Sequence, residues 1–516
     1  MAVPADVYMF GATYLLGVFS MIAVGIVTVY IYLPVFYNLG ITSTYEYLGM
    51  RFDERCRKCA SALFALSVFV YLPMVIYVPA LAFSAVTGVS VIKISIIIST
   101  ICVFYTTIGG LKAVVWTDAI QFSITIGASV LVFFLGLNSV GGFGEVIRIA
   151  NEGNRLDVFD FDASLTKRET FWAIIVGLTV HWVSHMSINQ GCTQKFLSVP
   201  TYKDSVKSVF LYSIGMSLTK SLSVFTGLIM FAKYAQCDPM LTKQVAKKDQ
   251  LLPFYVLDVA GHIPGLSGLF IAGIFSAALS TLSANLNSLA GTIYEDFLKS
   301  WLEKHHNHKT AGHVLKLIVV IAGVLCTAMI FVVQQLGGLL ALSISLGSVA
   351  HGPLLGMFTL GVLCPRANRK GTFYGALSAM CCMAIIIMGA KYYASRGMFG
   401  YPKKPVSVAG CADFNLNITS YLNETNFRAE NEPLLLFRLS FYWYTMIGSL
   451  ITIAVGLIIS FFTEKDEKQL DRKLISPIAQ FMLPRKNDHG HVRYSVEKEA
   501  VEGDELNPEN AFLKKH

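Results

Sequence analysis

Eleven long apolar runs recur along the 516-residue chain, at about 8–37, 56–87, 91–109, 114–141, 171–190, 205–232, 264–298, 313–334, 337–363, 371–392 and 436–462. Each is long enough to cross roughly 30 Å of hydrocarbon as a helix. The runs are continuous rather than alternating, so helices and not barrel strands are expected, the only two architectures that lipid tolerates. Composition agrees: 54% of the residues are hydrophobic and only 14% charged, against about a quarter charged in soluble domains. The expected fold class is an all-α integral membrane protein of about 11 transmembrane helices.

The formal charge of +8 is scattered through short loops rather than gathered on one stripe, so no nucleic-acid partner is expected and the lipid bilayer is. Loops 38–55, 191–204, 299–312 and 364–370 are basic, as is the chain just after the last run, which reads as cytoplasmic. Loops 142–170, 233–262 and 393–435 also carry basic residues, so charge alone gives only a preference. Two glycosylation sequons, at Asn417 and Asn423 in loop 393–435, place that loop outside. An extracellular N-terminus, a cytoplasmic C-terminus and a plasma-membrane location follow. Cys237 and Cys411 both fall in outer loops, where an oxidising compartment would leave pairing open to them. Cys56 and Cys59 read as two residues on a helix face rather than a redox or zinc pair. No metal cluster or cofactor motif stands out. Residues 1–463 read as the transmembrane domain and 464–516, where the composition turns charged and polar, as a disordered cytoplasmic tail.

Within the run 264–298, Ser276, Ser280, Ser283 and Asn287 recur at the spacing of one helix face, with Thr281 and Ser288 beside them. One or two such residues would serve close packing and back-bonding to their own helix. A face this dense suits a water- or ion-lined path better, because hydroxyls and a carbonyl replace the water shell of a sodium ion. Intramembrane charge is the second signal, since it is costly and usually faces a cavity. Asp118 begins the fourth run, either as an interfacial acid at a helix N-terminus or as a functional group. Lys220 sits near the middle of the sixth run, either snorkelling or acting as counter-charge to an anion. His181 and His185, flanking Trp182, read as satisfied buried histidines rather than a proton relay.

Four blocks in order, "PVFYNLGITSTYEYLGMRF" at 34–52, "FYTTIGGLKAVVWTDAIQ" at 104–121, "ALSTLSANLNSLAGTIYEDFLK" at 278–299 and "HGPLLG" at 351–356, resemble the sodium/solute symporter family over about Val3 to Phe462. "LKAVVWTD" and "LNSLAGTIYEDFLK" look more like its anion-handling branch of iodide, monocarboxylate and multivitamin symporters than its sugar branch. The resemblance implies a LeuT-type bundle of two inverted five-helix repeats, here 8–141 and 171–363, with accessory helices at 371–462. It implies that Ser280 and Thr281, with the carbonyl of Ala277, coordinate sodium as the co-transported ion. It implies that Tyr105 and Ser343 belong to a further sodium position and the substrate cavity. Met21, Trp182, Leu340 and Ile344 match cavity-lining positions, and Asp118 an acid near the inner sodium exit.

Two departures from the family pattern shape the expectation. Met21 and Met186 stand where the iodide member carries a glutamine and a tyrosine, so a small organic anion such as a monocarboxylate or vitamin-like carboxylate suits this more apolar cavity better than iodide. The first residues align just after the family's first core helix, so the first repeat is expected to show four helices and to lack half of the shared sodium site. The expected function is sodium-coupled symport of a small organic anion by alternating access. The alternatives are an iodide or other anion symporter, a truncated regulatory form that does not transport, and a sodium channel. No nucleophile–base pair or metal motif at membrane depth points to an enzyme.

Overall fold

The computed structural model describes residues 2–41, 43–302, 309–335, 338–411, 433–463 and 470–483, with the side chains of 109–118, 300, 301, 309 and 310 lying outside that description. The described residues carry helices and no strand. In chain order these are α1 (Ala2–Phe10), α2 (Ala12–Leu39), α3 (Thr44–Arg51), α4 (Glu54–Thr87), α5 (Val91–Val140), α6 (Phe143–Glu152), α7 (Ala173–Met186) and α8 (Gln190–Leu197). There follow α9 (Tyr202–Tyr234), α10 (Leu251–Ala260), α11 (Leu266–Leu298), α12 (Ala311–Val333), α13 (Leu339–Leu363), α14 (Arg369–Ser395) and α15 (Phe441–Phe462). Ten of these spans are long and apolar enough to cross a membrane, α5 supplying two, and α7 is a shorter apolar helix. Together they account for the eleven runs.

Local chemistry sets the ends. Asp53 caps α4 by accepting from the Cys56 N–H, Thr201 caps α9 through Asp204, and Asn368 caps α14 through Gly371. The expected spans 91–109 and 114–141 run together in the single helical stretch α5. It is not straight. Tyr105 Oη donates to Leu279 O at 2.8 Å and Thr125 Oγ1 to Gly273 O at 2.9 Å. Twenty residues of straight helix would separate the two donors by about 30 Å, whereas six residues of α11 separate the acceptors by about 9 Å, so the chain doubles back between them.

Helix α13 is the most enclosed span, 72% of its apolar window being buried against α4, α14 and α15. It meets α15 backbone to backbone: a methyl on Gly352 would lie 3.0 Å from Gly448 Cα. Small residues substitute contact area for the absent hydrophobic drive between helices in lipid. On the side that holds α1, Cys237 and Cys411 form a disulfide with Cα atoms 5.2 Å apart across 174 residues of sequence, closing the pairing that the sequence left open. Asp238 N donates to Ser407 O at 3.0 Å and Lys404 N to Met9 O at 3.0 Å, lacing these loops to α1.

The segment after α15 departs from the expectation of an unstructured tail from residue 464. Leu474, Ile475 and Ala479 are buried. Tyr47 Oη donates to Leu474 O at 2.9 Å, and Ser476 N donates to Val362 O at 3.0 Å. The charged flanks of this stretch mask a short apolar core that finds burial against α3 and the end of α13. Met1–Met482 form one unit; Leu483–His516 form a second, of which all but residue 483 lie outside the described residues.

Candidate functional site

The hydroxyl face of α11 is assembled within two turns. Thr281 Oγ1 donates to Ala277 O at 2.8 Å, Ser283 Oγ to Ser280 O at 3.1 Å, and Asn285 Nδ2 to Thr281 O at 2.8 Å. Such back-bonding spends the hydroxyl proton, not the oxygen lone pairs, so Thr281 Oγ1 stays able to face a cation. Tyr105 reaches the same turn through Leu279 O. Asn287 Nδ2 is buried without a partner. Ser343 lies elsewhere, half-buried on α13, which packs chiefly on α4, α14 and α15 rather than on α11. Asp118 lies within α5 with its side chain outside the described residues, and Asn417 and Asn423 also fall outside them.

A second centre forms around Lys220. Its side chain, 6% exposed, does not snorkel. Its Nζ donates to Tyr14 Oη at 2.8 Å and lies 4.2 Å from the Trp182 ring centre and 4.8 Å from that of Tyr14. Among the described residues no carboxylate stands within ion-pair distance of it. Trp182 Nε1, a buried donor, lies toward Tyr14 without a well-aligned hydrogen bond. Gly17 packs closely on Leu178, a methyl there lying 3.3 Å from Leu178 Cδ2, with the lysine stem just beyond. Leu340 and Ile344 share an apolar cluster with Tyr14, while Met21 and Met186 belong to the neighbouring one, and Trp182 packs against both. Of the expected cavity residues, Lys220 stands directly over Trp182, and the other four belong to the two apolar clusters that Trp182 joins.

Ionic contacts stand at both ends of the α2 crossing. On one, Asp6 pairs with Arg168 and, at 3.2 Å, with Lys248, while Arg168 Nε contacts Glu169 Oε1 at 3.1 Å and its guanidinium stacks 3.7 Å over Phe10. Burial outweighs the neighbouring guanidinium and lifts the Glu169 carboxyl to about 7. On the other, Arg57 Nη2 contacts Asp296 Oδ1 at 2.5 Å and joins α4 to α11, with Ser61 bonded to the same carboxylate. Neither latch is visible in sequence, nor is the Tyr14–Lys220 contact. Its partners lie 206 residues apart, and no local pattern announces such a pairing.

A polytopic helical bundle with a hydroxyl-bearing helix face and a lysine buried inside it is the architecture of a secondary transporter. Its fold is similar to that of a Na+-coupled sialic acid symporter solved in a substrate-bound outward-open state, with a TM-score of 0.69 at 24% identity over 91% of this chain and 87% of that one. This is the LeuT-type bundle. Residues 1–379 match the model of the sodium:solute symporter family, and the chain belongs to that family. It is 36% identical to sodium-coupled monocarboxylate transporter 2 of Mus musculus over 92% of this chain and 76% of that protein. It is 32% identical to the human sodium/iodide cotransporter over 90% and 74%. These relatives are transporters and not enzymes, and sodium-coupled solute symport across a membrane is the activity that the family defines.

Proposed function

We propose that the chain carries sodium inward together with a small monocarboxylate. The observation that carries the reading is Lys220, an ammonium enclosed by Tyr14, Trp182 and apolar side chains with no acid of the described chain to neutralise it. A buried charge without a counter-ion is costly, and a substrate carboxylate supplies that counter-ion together with an acceptor for Lys220 Nζ and Trp182 Nε1. The methionines at 21 and 186 and the aliphatic residues at 340 and 344 suit a short hydrocarbon body rather than a fully hydrated anion. The likeness to monocarboxylate transporters supports the same substrate class.

In this reading Ala277 O, Ser280 and Thr281 coordinate sodium, Tyr105 and Ser343 belong to a further sodium position and the cavity, and Asp118 stands near the sodium exit. Sodium and anion each raise the affinity for the other, which coupling requires. Each net positive charge that enters gains about 2.3 kcal/mol per 100 mV of inside-negative potential. The Asp6–Arg168–Glu169–Lys248 contacts then act as the outer latch and Arg57–Asp296 as the inner one. An extracellular N-terminus and a plasma-membrane location agree with a disulfide on the α1 side, since disulfides persist on the oxidising face.

The test is sodium-dependent uptake of a labelled short-chain monocarboxylate, with labelled iodide in parallel, in cells that display the chain at their surface. Saturable carboxylate uptake that sodium removal abolishes is expected. Sodium-driven iodide uptake without carboxylate uptake would overturn the substrate, and surface display with neither flux would overturn the assignment.

A further inference from the structure

Three imidazoles meet beside the Lys220 centre. His181 and His185 project from α7 and His351 from α13, with ring centres 4.6 Å apart for His181–His185 and 4.2 Å for His185–His351. His185 also lies 5.8 Å from the Trp182 ring that Lys220 covers from another side. His181 Nδ1 is satisfied by Thr445 Oγ1 at 3.0 Å, and Thr445 continues to Ser348 Oγ at 2.9 Å. No protein hydrogen bond engages the ring nitrogens of His185 or His351 among the described residues. The expectation of satisfied histidines therefore holds for His181 alone of the pair that the sequence singled out.

The cluster leads somewhere. His351 borders a narrow crevice whose lining mixes Ser67, Ser184, Asn189 and Tyr45 with Leu63, Phe64, Ala350 and Leu354, and the hydroxyl of Tyr45, a fully buried residue, lies beside Thr44. Tyr45 and Asn189 adjoin loops 38–55 and 191–204, which the charge pattern reads as cytoplasmic. The three rings thus connect the Lys220–Trp182 centre to this crevice, which faces inward if the loops lie as their charge pattern reads.

We infer that His181, His185 and His351 bind a proton that moves inward with the anion, so that the symporter is coupled to protons as well as to sodium. This rests on the reading of Lys220 as the carboxylate site. A proton from the outer solution attaches to the free lone pair of a ring nitrogen, giving one imidazolium. The same proton leaves from His351 into the inner crevice once the carrier opens inward, restoring three neutral rings. No bond other than N–H forms or breaks, and no oxidant or reductant is involved. The charged and titratable groups facing the cluster are Lys220 from α9 and Tyr14 from α2, with Tyr45 of α3 across the crevice; α15 contributes only the neutral Thr445. The carboxylates of Asp6 and Glu169 act on Tyr14 from the outer side. With no acid among the rings, the negative charge that stabilises an imidazolium is the substrate's own. Anion and proton therefore promote each other's binding.

Two measurements test this, both made on the wild-type chain and repeated in Glu169→Gln to separate any titration of that carboxyl. In the first, cells displaying the chain are given a short-chain monocarboxylate in sodium medium while internal pH is recorded. Internal acidification that needs sodium is expected. Uptake at low substrate should rise up to about tenfold per unit fall in external pH for one coupled proton, and His185→Gln and His351→Asn should flatten that slope. In the second, the purified full chain is titrated with and without a short-chain monocarboxylate while its tryptophan emission is followed, the bound anion being expected to raise the titration midpoint. An imidazolium at His185 quenches Trp182, so a titration lost in both His185→Gln and Trp182→Phe is expected. That optical signal without carboxylate flux would keep the proton site and remove the substrate reading. Sodium-driven carboxylate uptake with no acidification and no pH slope would overturn the proton coupling and leave the symport reading standing.

Discussion

At the residue scale, the decisive side chain is Lys220, and the contrast between its two sequence readings is resolved by contact rather than by depth. A snorkelling lysine would send its ammonium toward the interface; here Tyr14 Oη holds it at 2.8 Å inside the bundle. Lys220→Met removes the charge that faces the apolar walls, and a charge-assisted hydrogen bond is worth about 1.5–3 kcal/mol. The half-saturating carboxylate concentration should rise by roughly one to two orders of magnitude, with sodium activation retained at high substrate, as measured by initial uptake rates. At the α11 turn, replacing Ser280 and Thr281 together by Ala removes two hydroxyl oxygens while leaving the helix intact. The sodium concentration for half-maximal uptake should rise several-fold with surface display unchanged; an unaltered sodium curve would dismiss these residues as ligands. The hydroxyl face was legible because its spacing repeats every turn. Tyr14 and His351 were not, because neither residue type nor local pattern marks an aromatic or an imidazole as facing a partner on another helix.

At the scale of elements, the spans were readable from hydropathy alone, since a lipid-crossing helix must be long and apolar along its whole length. Two features escaped that reading. The doubling back of α5 has no hydropathic signature, and the packed segment at 470–482 is too short and too flanked by charge to stand out. The α13–α15 crossing gives a direct test of close packing. Gly352→Val brings side-chain atoms into the space of Gly448 and the Thr445 carbonyl and should cost about 1–3 kcal/mol, read as a lower unfolding midpoint of the purified protein. Opening the Cys237–Cys411 bridge by Cys411→Ser should lower the same midpoint, because a long closed loop contributes about 2–4 kcal/mol.

At the scale of the whole molecule, the Asp6–Arg168 and Arg57–Asp296 contacts are formed together. The outer latch carries a titratable member. Its Glu169 carboxyl is raised from the ordinary carboxylate range to about 7 by burial, so the closed structure holds a proton that the unfolded chain releases near pH 4.5. The stabilisation is full below about pH 4.5 and is lost as pH rises through about 7. The unfolding midpoint of the wild-type chain should therefore fall between pH 5 and 8 relative to that of Glu169→Gln. Parallel curves for the two proteins would show that Glu169 titrates normally. The long-range partners of this latch, like those of the disulfide, join parts of the chain more than 150 residues apart, which is why only the folded structure reveals them.

The short segment at 474–476 has a mechanical consequence. Leu474 O takes the Tyr47 hydroxyl, Ser476 N holds the carbonyl of Val362, and Ser476 Oγ reaches the carbonyl of Tyr30 at 3.4 Å. One strand of three residues thus fastens α2, α3 and the end of α13 together. When α13 swings against α2, the fastener must either travel with both or unhook. A tie of this kind opposes any such movement through the hydrogen bonds that must break, so the cost of relative motion between these helices is written partly outside the bundle.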